Sequence, residues 1–267
     1  MKIVCVGAGS MAESMIHGWI NKRILQPEDI SVMNKSDLAR LEFLRDEYGV
    51  NIVEEERLEL READFVLLAM KPKDVAAAVG AIKEKLTAAT VVLSVVAGVS
   101  IETIQKHAGI LAVARAMPNT SARIGKSATG LAWSRQVTVD KQHQLRTLLS
   151  SIGGVTVVKE EQLHAVTAVA GSGPAYVYYM AEAMTEAAVA QGLSLADATK
   201  LVRQTFDGAA DMLQQEDFGE LRKKVTSPNG TTAAGIAALD SLQFKKTVSA
   251  CVEAAAGRSQ ELGREFD

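Results

Sequence analysis

Two cysteines in 267 residues are too few for a disulfide framework. Cys5 falls in an apolar run and Cys251 in a helical stretch, so both are expected as reduced core or near-core residues. Basic residues are not in excess. The net charge of -3 argues against general nucleic-acid or membrane-surface binding, which favours a positive balance. Four histidines, at 17, 107, 143 and 164, fall in no metal-ligand spacing and no Ser/His/Asp arrangement, so no metal site is expected. The most apolar helical stretch, 175–190, carries Glu182 and Glu186 on one face, the mark of a buried helix and not of a membrane span. For that acidic pair, a solvated or hydrogen-bonded role is expected. The chain opens on a strand-like run, so no signal peptide is expected and the cytoplasm is the expected compartment. There is no internal repeat, linker or low-complexity tract. With 48% hydrophobic and 23% charged residues, the length suits a large core and two domains.

What is present begins at the N-terminus. The apolar run Ile3 to Val6 reads as a buried strand and breaks into Gly7-Ala8-Gly9-Ser10-Met11-Ala12; Met11, Met15, Ile16, Trp19 and Ile20 then recur at helical spacing. A strand, a Gly-x-Gly-x-x-Ala turn and a helix are the start of a dinucleotide-binding unit. Gly7 permits the tight turn, Gly9 lets backbone approach a pyrophosphate, and small Ala12 lets helix pack on strand. The helix start offers unpaired N–H groups and a positive dipole end to the phosphates.

Residues 30–33 read as a second strand, with Ser36 as cap of a helix to about Tyr48. An acid at the end of that strand would accept from a ribose 2′-OH, whereas a cation with hydroxyls would hold a 2′-phosphate. The residues there are Asn34, Lys35 and Ser36, with no acid before Asp37. This points to NADPH over NADH, with Lys35 supplying charge; the alternative is a solvated loop lysine. A short strand at 51–53, a charged helix or loop at 54–60, strands at 64–70 and 90–94, and a helix from Pro72 to about Leu86 follow. The run 109–114 leads into Arg115 and Met117-Pro118-Asn119-Thr120, and stretches 128–133 and 155–158 bracket a helix over 140–152. This alternation predicts an α/β domain, a doubly wound, mostly parallel sheet over 1–158. Ligands of such sheets bind outside the strand C-ends, so 69–72, 94–98 and 115–120 should face the cofactor.

From 159 to 267 the pattern is helical throughout and Ala-rich, an all-α second domain. Ser194 with Asp197 should cap a helix to about Gln214, and Ser241 should cap the last helix, to about Leu262. Long helices with Ala, Gly and Met on more than one face cannot all be hidden in so small a monomeric bundle. An isologous dimer through this domain, or a larger assembly, is therefore expected. Sedimentation at micromolar concentration should show it, and a monomer alone would refute it.

Two stretches here exceed what packing asks. In Ala170-Gly-Ser-Gly-Pro-Ala-Tyr176, the flanking glycines open special backbone conformations, and Ser172 either caps the next helix or meets a close-approaching ligand. In Ser227-Pro228-Asn229-Gly230-Thr231-Thr232, Asn-Gly tolerates positive φ, so successive N–H groups can line one concavity ahead of a helix N-terminus. That makes a carboxylate site with three hydroxyls, or else a hydroxyl-capped loop without ligand. With no strong general acid or metal signal, the chemistry that fits is hydride transfer to a substrate that arrives protonated. An imine is such a substrate, and the protein need only orient it and exclude water.

These residues together resemble pyrroline-5-carboxylate reductase. The resemblance covers nearly the whole chain: residues 7–12, Ala69-Met70-Lys71-Pro72, 94–98, 117–120, Val166-Thr167, 171–176 and 226–232. It implies reduction of 1-pyrroline-5-carboxylate to L-proline, the last step of proline biosynthesis, with NAD(P)H. It also implies a Rossmann domain followed by an α-helical dimerisation and substrate domain, in homodimers that commonly build homodecamers. Cofactor contacts would fall on 7–12, 34–36, Ala69 to Pro72 and Ala97, with Asn119 close to the nicotinamide. The substrate carboxylate would lie in the 227–232 loop (Ser227, Asn229, Gly230, Thr231), the ring nitrogen would bond Thr232, and Glu160 would lie near the substrate. The chain departs from the family at Ala170, where a serine is usual, at Asn229, where a glycine is usual, and at Glu54-Glu55-Glu56, where many relatives place an asparagine.

Overall fold

The computed structural model describes residues 1–54, 60–110 and 112–266. Glu55 and Glu56, and with them most of the charged stretch before Leu60, lie outside the described residues. Contacts group the chain into two units, Met1–Ser172 with Ala255–Asp267, and Gly173–Ala254. Composition instead divides the chain at 158/159. The two divisions differ because residues 160–171, though helical in pattern, pack on the strand Ser127–Trp133, and the last turns of the final helix lie against Gly98 and His164.

The first unit is built on one eight-stranded sheet in the order β3-β2-β1-β4-β5-β6-β7-β8. The strands are β1 (Ile3–Val6), β2 (Ile30–Met33), β3 (Asn51–Ile52), β4 (Phe65–Leu68), β5 (Val91–Ser94), β6 (Val113–Met117), β7 (Ser127–Trp133) and β8 (Gly153–Val157). All pairs are parallel except β6 with β7. A one-turn connection through the 3-10 segment Thr120–Ile124 is too short for a crossover, so β7 must return antiparallel.

Strand side chains alternate between two cores. Ile3, Cys5, Phe65, Leu67, Val91 and Leu93 face one side, where Met15, Ile16 and Trp19 of α1 (Ser10–Asn21), Leu41 and Leu44 of α2 (Leu38–Tyr48) and Leu145 and Leu148 of α5 (Val139–Ser150) cover them. Val4, Val6, Val66, Leu68 and Val92 face the other, under Val75, Val79 and Ile82 of α3 (Val75–Ile82) and Ile104 of α4 (Ile101–Ala108). A sheet buried on both faces explains the near-continuous apolar strands. Trp19 satisfies its indole by donating to the Leu148 carbonyl at 3.0 Å. Burial pushes the Cys5 thiol up to about 12, so it behaves as an apolar residue.

Several local expectations are corrected. Asp37, not Ser36, caps α2, its Oδ1 accepting from Arg40 N at 2.9 Å. The helix expected over 72–86 is a 3-10 turn at Pro72–Asp74, α3, and a second 3-10 turn at Lys83–Lys85. No glycine kink opens the 170–176 stretch: Gly171 and Gly173 both lack positive φ. There α6 (Leu163–Val166) widens into a π-turn, Thr167–Gly171, in which Ser172 N donates to Thr167 O at 2.8 Å. Pro174 has no N–H to return to the Ala170 carbonyl, and Asn119 Nδ2 donates to that oxygen instead, at 2.9 Å.

The second unit comprises α7 (Gly173–Ala190), α8 (Leu195–Met212), α9 (Phe218–Lys224), α10 (Thr231–Ser241) and the first half of α11 (Phe244–Arg264). Ser194 caps α8 as expected, accepting from Asp197 N. Ser241 ends α10, donating to Ala238 O at 2.8 Å, and does not cap α11. Among the described residues, only Ala198 and Val202 of this unit are buried, while Tyr179 and Leu242 are each more than 70% exposed. A layer with so much apolar surface and so little core is built to be covered. Among the described residues, no helix is long and apolar enough to cross a membrane.

Candidate active site

The chain order reverses between β1 and β4, and ligands of open α/β sheets sit at that switch point, outside the strand C-ends. The geometry there is set by Gly7. Its N–H donates to Met33 O at 3.0 Å, and Ala69 N donates to Val6 O at 2.9 Å, which pins the end of β1 between its neighbours. Gly7 has φ +104°, and a methyl there would overlap the Ala69 carbonyl oxygen and lie 2.8 Å from its carbon. Gly9 has an ordinary extended backbone and caps α1 without a side-chain bond. A methyl on it would meet nothing nearer than Ala69 O at 3.9 Å. The space above Gly9 and the uncapped start of α1 are therefore open to an anion, as a pyrophosphate requires.

Two cavities meet at this point. One, of about 520 Å³, runs along Gly7, Ala8, Gly9, Ser10, Met11, Ala69 and Lys71. The other, of about 320 Å³, is lined by Met33, Asn34, Lys35 and Ser36 and by Ala77, Ala78 and Ala81 of α3. Ser36 N donates to Asn34 Oδ1 at 3.4 Å, which turns this loop over the cavity. Of the remaining expected cofactor residues, Ala12 is fully buried and serves helix-on-strand packing, as its size suggested. Pro72 opens the 3-10 turn, and Ala97 lies exposed just past β5. Asn119 is buried, with Oδ1 accepting from Ser121 N at 3.1 Å and its N donating to Ser127 Oγ at 3.0 Å. Its side chain holds the β6 loop to the π-turn.

The glycine loop is braced from outside. Arg40 Nε donates to Ala8 O at 2.8 Å, and its guanidinium pairs with Glu13, which also accepts from Tyr48 OH at 3.1 Å. Burial pulls the Glu13 carboxyl upward, but the Arg40 bond and charge, with Tyr48, outweigh it and hold it below the usual range. Nothing in the spacing of 13, 40 and 48 announces this brace.

A further group of charges lies in the first unit, around a cavity of about 430 Å³ lined by Gly98, Arg115, Glu160, His164 and Arg264 among others. Arg115 of β6 is 7% exposed in its side chain. Glu160 Oε1 accepts from Arg115 Nη1 and from Ile101 N at the start of α4, each at 2.7 Å. Arg115 was legible as the one charge in an apolar strand, Val-Ala-Arg-Ala-Met; its partner was not.

In the second unit, Gly230 N donates to Ser227 O at 3.1 Å and Asn229 has φ +58°. With Pro228 ahead of it, this is the type II turn pattern. A side chain at 230 would overlap the Ser227 hydroxyl, which would have to rotate away to make room. α10 then starts at Thr231 with no side-chain cap, leaving the N–H groups of its first turn to a ligand. Thr231 and Thr232 are exposed on that turn. The four expected residues Ser227, Asn229, Gly230 and Thr231 thus form one turn-and-helix start, with the Thr232 hydroxyl beside it.

Comparison with known proteins extends this picture. Residues 160–262 match the family described as pyrroline-5-carboxylate reductase dimerisation, and residues 2–98 match NADP oxidoreductase, coenzyme F420-dependent. The chain is 45% identical to pyrroline-5-carboxylate reductase 2 of Bacillus subtilis, over 99% of this chain and 96% of that one. Among solved structures, a pyrroline-5-carboxylate reductase from Coxiella burnetii superposes with a TM-score of 0.92 at 34% identity, covering 98% of each chain. The Plasmodium falciparum pyrroline carboxylate reductase, solved with NADP bound, superposes with a TM-score of 0.84 at 28% identity, again covering 98% of each.

Proposed function

The chain belongs to the pyrroline-5-carboxylate reductase family and reduces 1-pyrroline-5-carboxylate to L-proline with NAD(P)H, and from that premise we propose how its own residues carry the reaction. When bound, the cofactor supplies the hydride that saturates the C5–N bond of the imine. The Gly7–Met11 turn and the uncapped start of α1 hold its pyrophosphate. Asn34, Lys35 and Ser36 hold the adenosine end, where the Lys35 ammonium favours a 2′-phosphate. Ala69 to Pro72 and Ala97 line the approach to the nicotinamide, and Asn119 keeps the β6 loop beside it in place.

The observation that carries the substrate assignment is the uncapped α10 N-terminus set on the Ser227–Gly230 turn. Its free N–H groups and positive dipole end bind the substrate carboxylate, with the Ser227 and Thr231 hydroxyls adding donors. Thr232 accepts the N–H of the protonated imine through Oγ1, which fixes the ring so that C5 presents one face. Orientation, with water excluded, is then the protein's main contribution. Glu160 enters this scheme through Arg115 and the α4 start, which it holds together. Thr232→Ala is expected to lower kcat/KM by about ten- to a hundredfold, the loss of one hydrogen bond to a charged group. Cofactor affinity, measured by fluorescence titration, should stay unchanged; an equal fall in both would overturn the assignment.

The dimerisation domain is taken to span 159–267, which the match beginning at 160 supports. Its exposed apolar helices are covered by a second copy. Further assembly of dimers into a decamer, in the cytoplasm, is part of the same reading and rests on the family resemblance.

A further inference from the structure

The end of β2 has no acid to receive a ribose hydroxyl, yet the tertiary structure brings one to the same cavity from elsewhere. Four residues line both cavities at the switch point: Gly7, Asn34, Met70 and Asp74. Asp74 is the one acid among the described residues lining either; the other charges there are Lys35, Lys71 and Lys73. It precedes α3 in the cap position, where an aspartate ordinarily spends its carboxylate on the helix N–H groups. Here it makes no side-chain capping bond, and its backbone N–H donates to Lys71 O at 2.9 Å. Asp74 therefore stands at the joint between the pyrophosphate cavity and the adenosine cavity, and lines the latter together with Asn34, Lys35 and Ser36.

We infer that Asp74 is a specificity-determining residue for the cofactor, acting against Lys35. A carboxylate at the adenosine ribose accepts from a 2′-OH and repels a 2′-phosphate, the discrimination that dinucleotide folds usually obtain from the end of the second strand. Lys35 does the reverse. The two opposed charges let NADH compete in a groove whose lysines favour the more highly charged NADPH, and the balance between them sets the ratio of the two activities. This inference rests on the reading of the two cavities as the cofactor groove.

The test is kcat/KM for NADPH and for NADH, measured for the wild type, Asp74→Asn, Asp74→Ser and Lys35→Asp at low ionic strength and again at high salt. Asp74→Asn keeps the shape of the side chain, and serine keeps its capping ability, so a change common to both reports the lost charge. Both are expected to raise the NADPH/NADH ratio by about threefold to tenfold, mostly through KM and with kcat little changed, and Lys35→Asp to lower it. High salt should compress the differences, since these groups are exposed. If Lys35→Asp shifts the ratio and neither Asp74 variant does, the groove stands and the role given to Asp74 falls. If no variant alters the KM of either cofactor, the groove assignment falls, and this inference with it.

Discussion

Replacing Gly7 by alanine is expected to cost the protein both its cofactor and much of its stability. The residue sits at φ +104°, a region where a β-carbon is penalised, and its methyl would overlap the carbonyl oxygen of Ala69. That carbonyl cannot swing away cheaply, because Ala69 N donates to Val6 O within the β1–β4 ladder and Gly7 N donates to Met33 O. Backbone strain of about 1–2 kcal/mol and overpacking of about 1–3 kcal/mol together exceed what one substitution usually costs. NADPH affinity should fall by more than about a hundredfold, since the end of β1 must move to make room. Gly9→Ala separates the two roles of the loop. Its φ of -73° suits alanine and the methyl has room, so thermal unfolding should match the wild type. Binding should nevertheless weaken, because the methyl takes the space that the pyrophosphate needs. A Gly7→Ala protein with wild-type Tm would show that the β1–β4 joint is softer than its hydrogen bonds imply. Unchanged binding in Gly9→Ala would remove the pyrophosphate from that place.

Removing the carboxylate of Glu160 should have an effect of similar size, felt in stability first. Arg115 is almost wholly buried, and Glu160 Oε1 answers both its Nη1 and the first amide of α4. Glu160→Ala leaves a buried guanidinium without its counter-charge and an orphaned amide, a loss of about 3–5 kcal/mol. For a chain of this size that is about 5–10 °C in Tm. Glu160→Gln keeps one oxygen acceptor and should lose less. The pair Arg115→Met with Glu160→Leu should recover most of the deficit, because the desolvation cost of both charges disappears with them. These variants also decide what Glu160 does. If its work is to hold Arg115 and α4, the double variant has near wild-type Tm and a substrate KM close to normal. A wild-type Tm in Glu160→Ala, with a strongly raised KM, would instead make the carboxylate a direct substrate contact.

Features carried by neighbours in sequence are legible in the residues themselves. The strand, glycine turn and helix of residues 3–20 declare themselves through periodicity and two glycines. The cap of α8 at Ser194 and the turn at Pro228-Asn229-Gly230 do so through residue types suited to one backbone conformation. Where two capping residues stand side by side, as Ser36 and Asp37 do, composition cannot choose between them, and the structure gives the cap to Asp37. Ser241 is ambiguous for a related reason. A serine after an apolar run suits the end of one helix as well as the start of the next, and here it bonds backward to Ala238.

By itself, then, the sequence determined the doubly wound α/β start, the helical second half, the glycine loop and the hydroxyl-rich turn before α10, since each is written in local pattern and backbone preference. The antiparallel return of β7, the Arg40–Glu13–Tyr48 brace, the Arg115–Glu160 pair, the clamp from Asn119 to Ala170 and the arrival of Asp74 on the cavity that Lys35 lines were decided only by the tertiary structure. Strand direction has no residue signature, and the brace, the ion pair and the clamp join residues roughly 25 to 50 positions apart. Such residues meet because apolar strands and helices bury one another, and the polar groups carried along must then find partners among whatever the packing brings near.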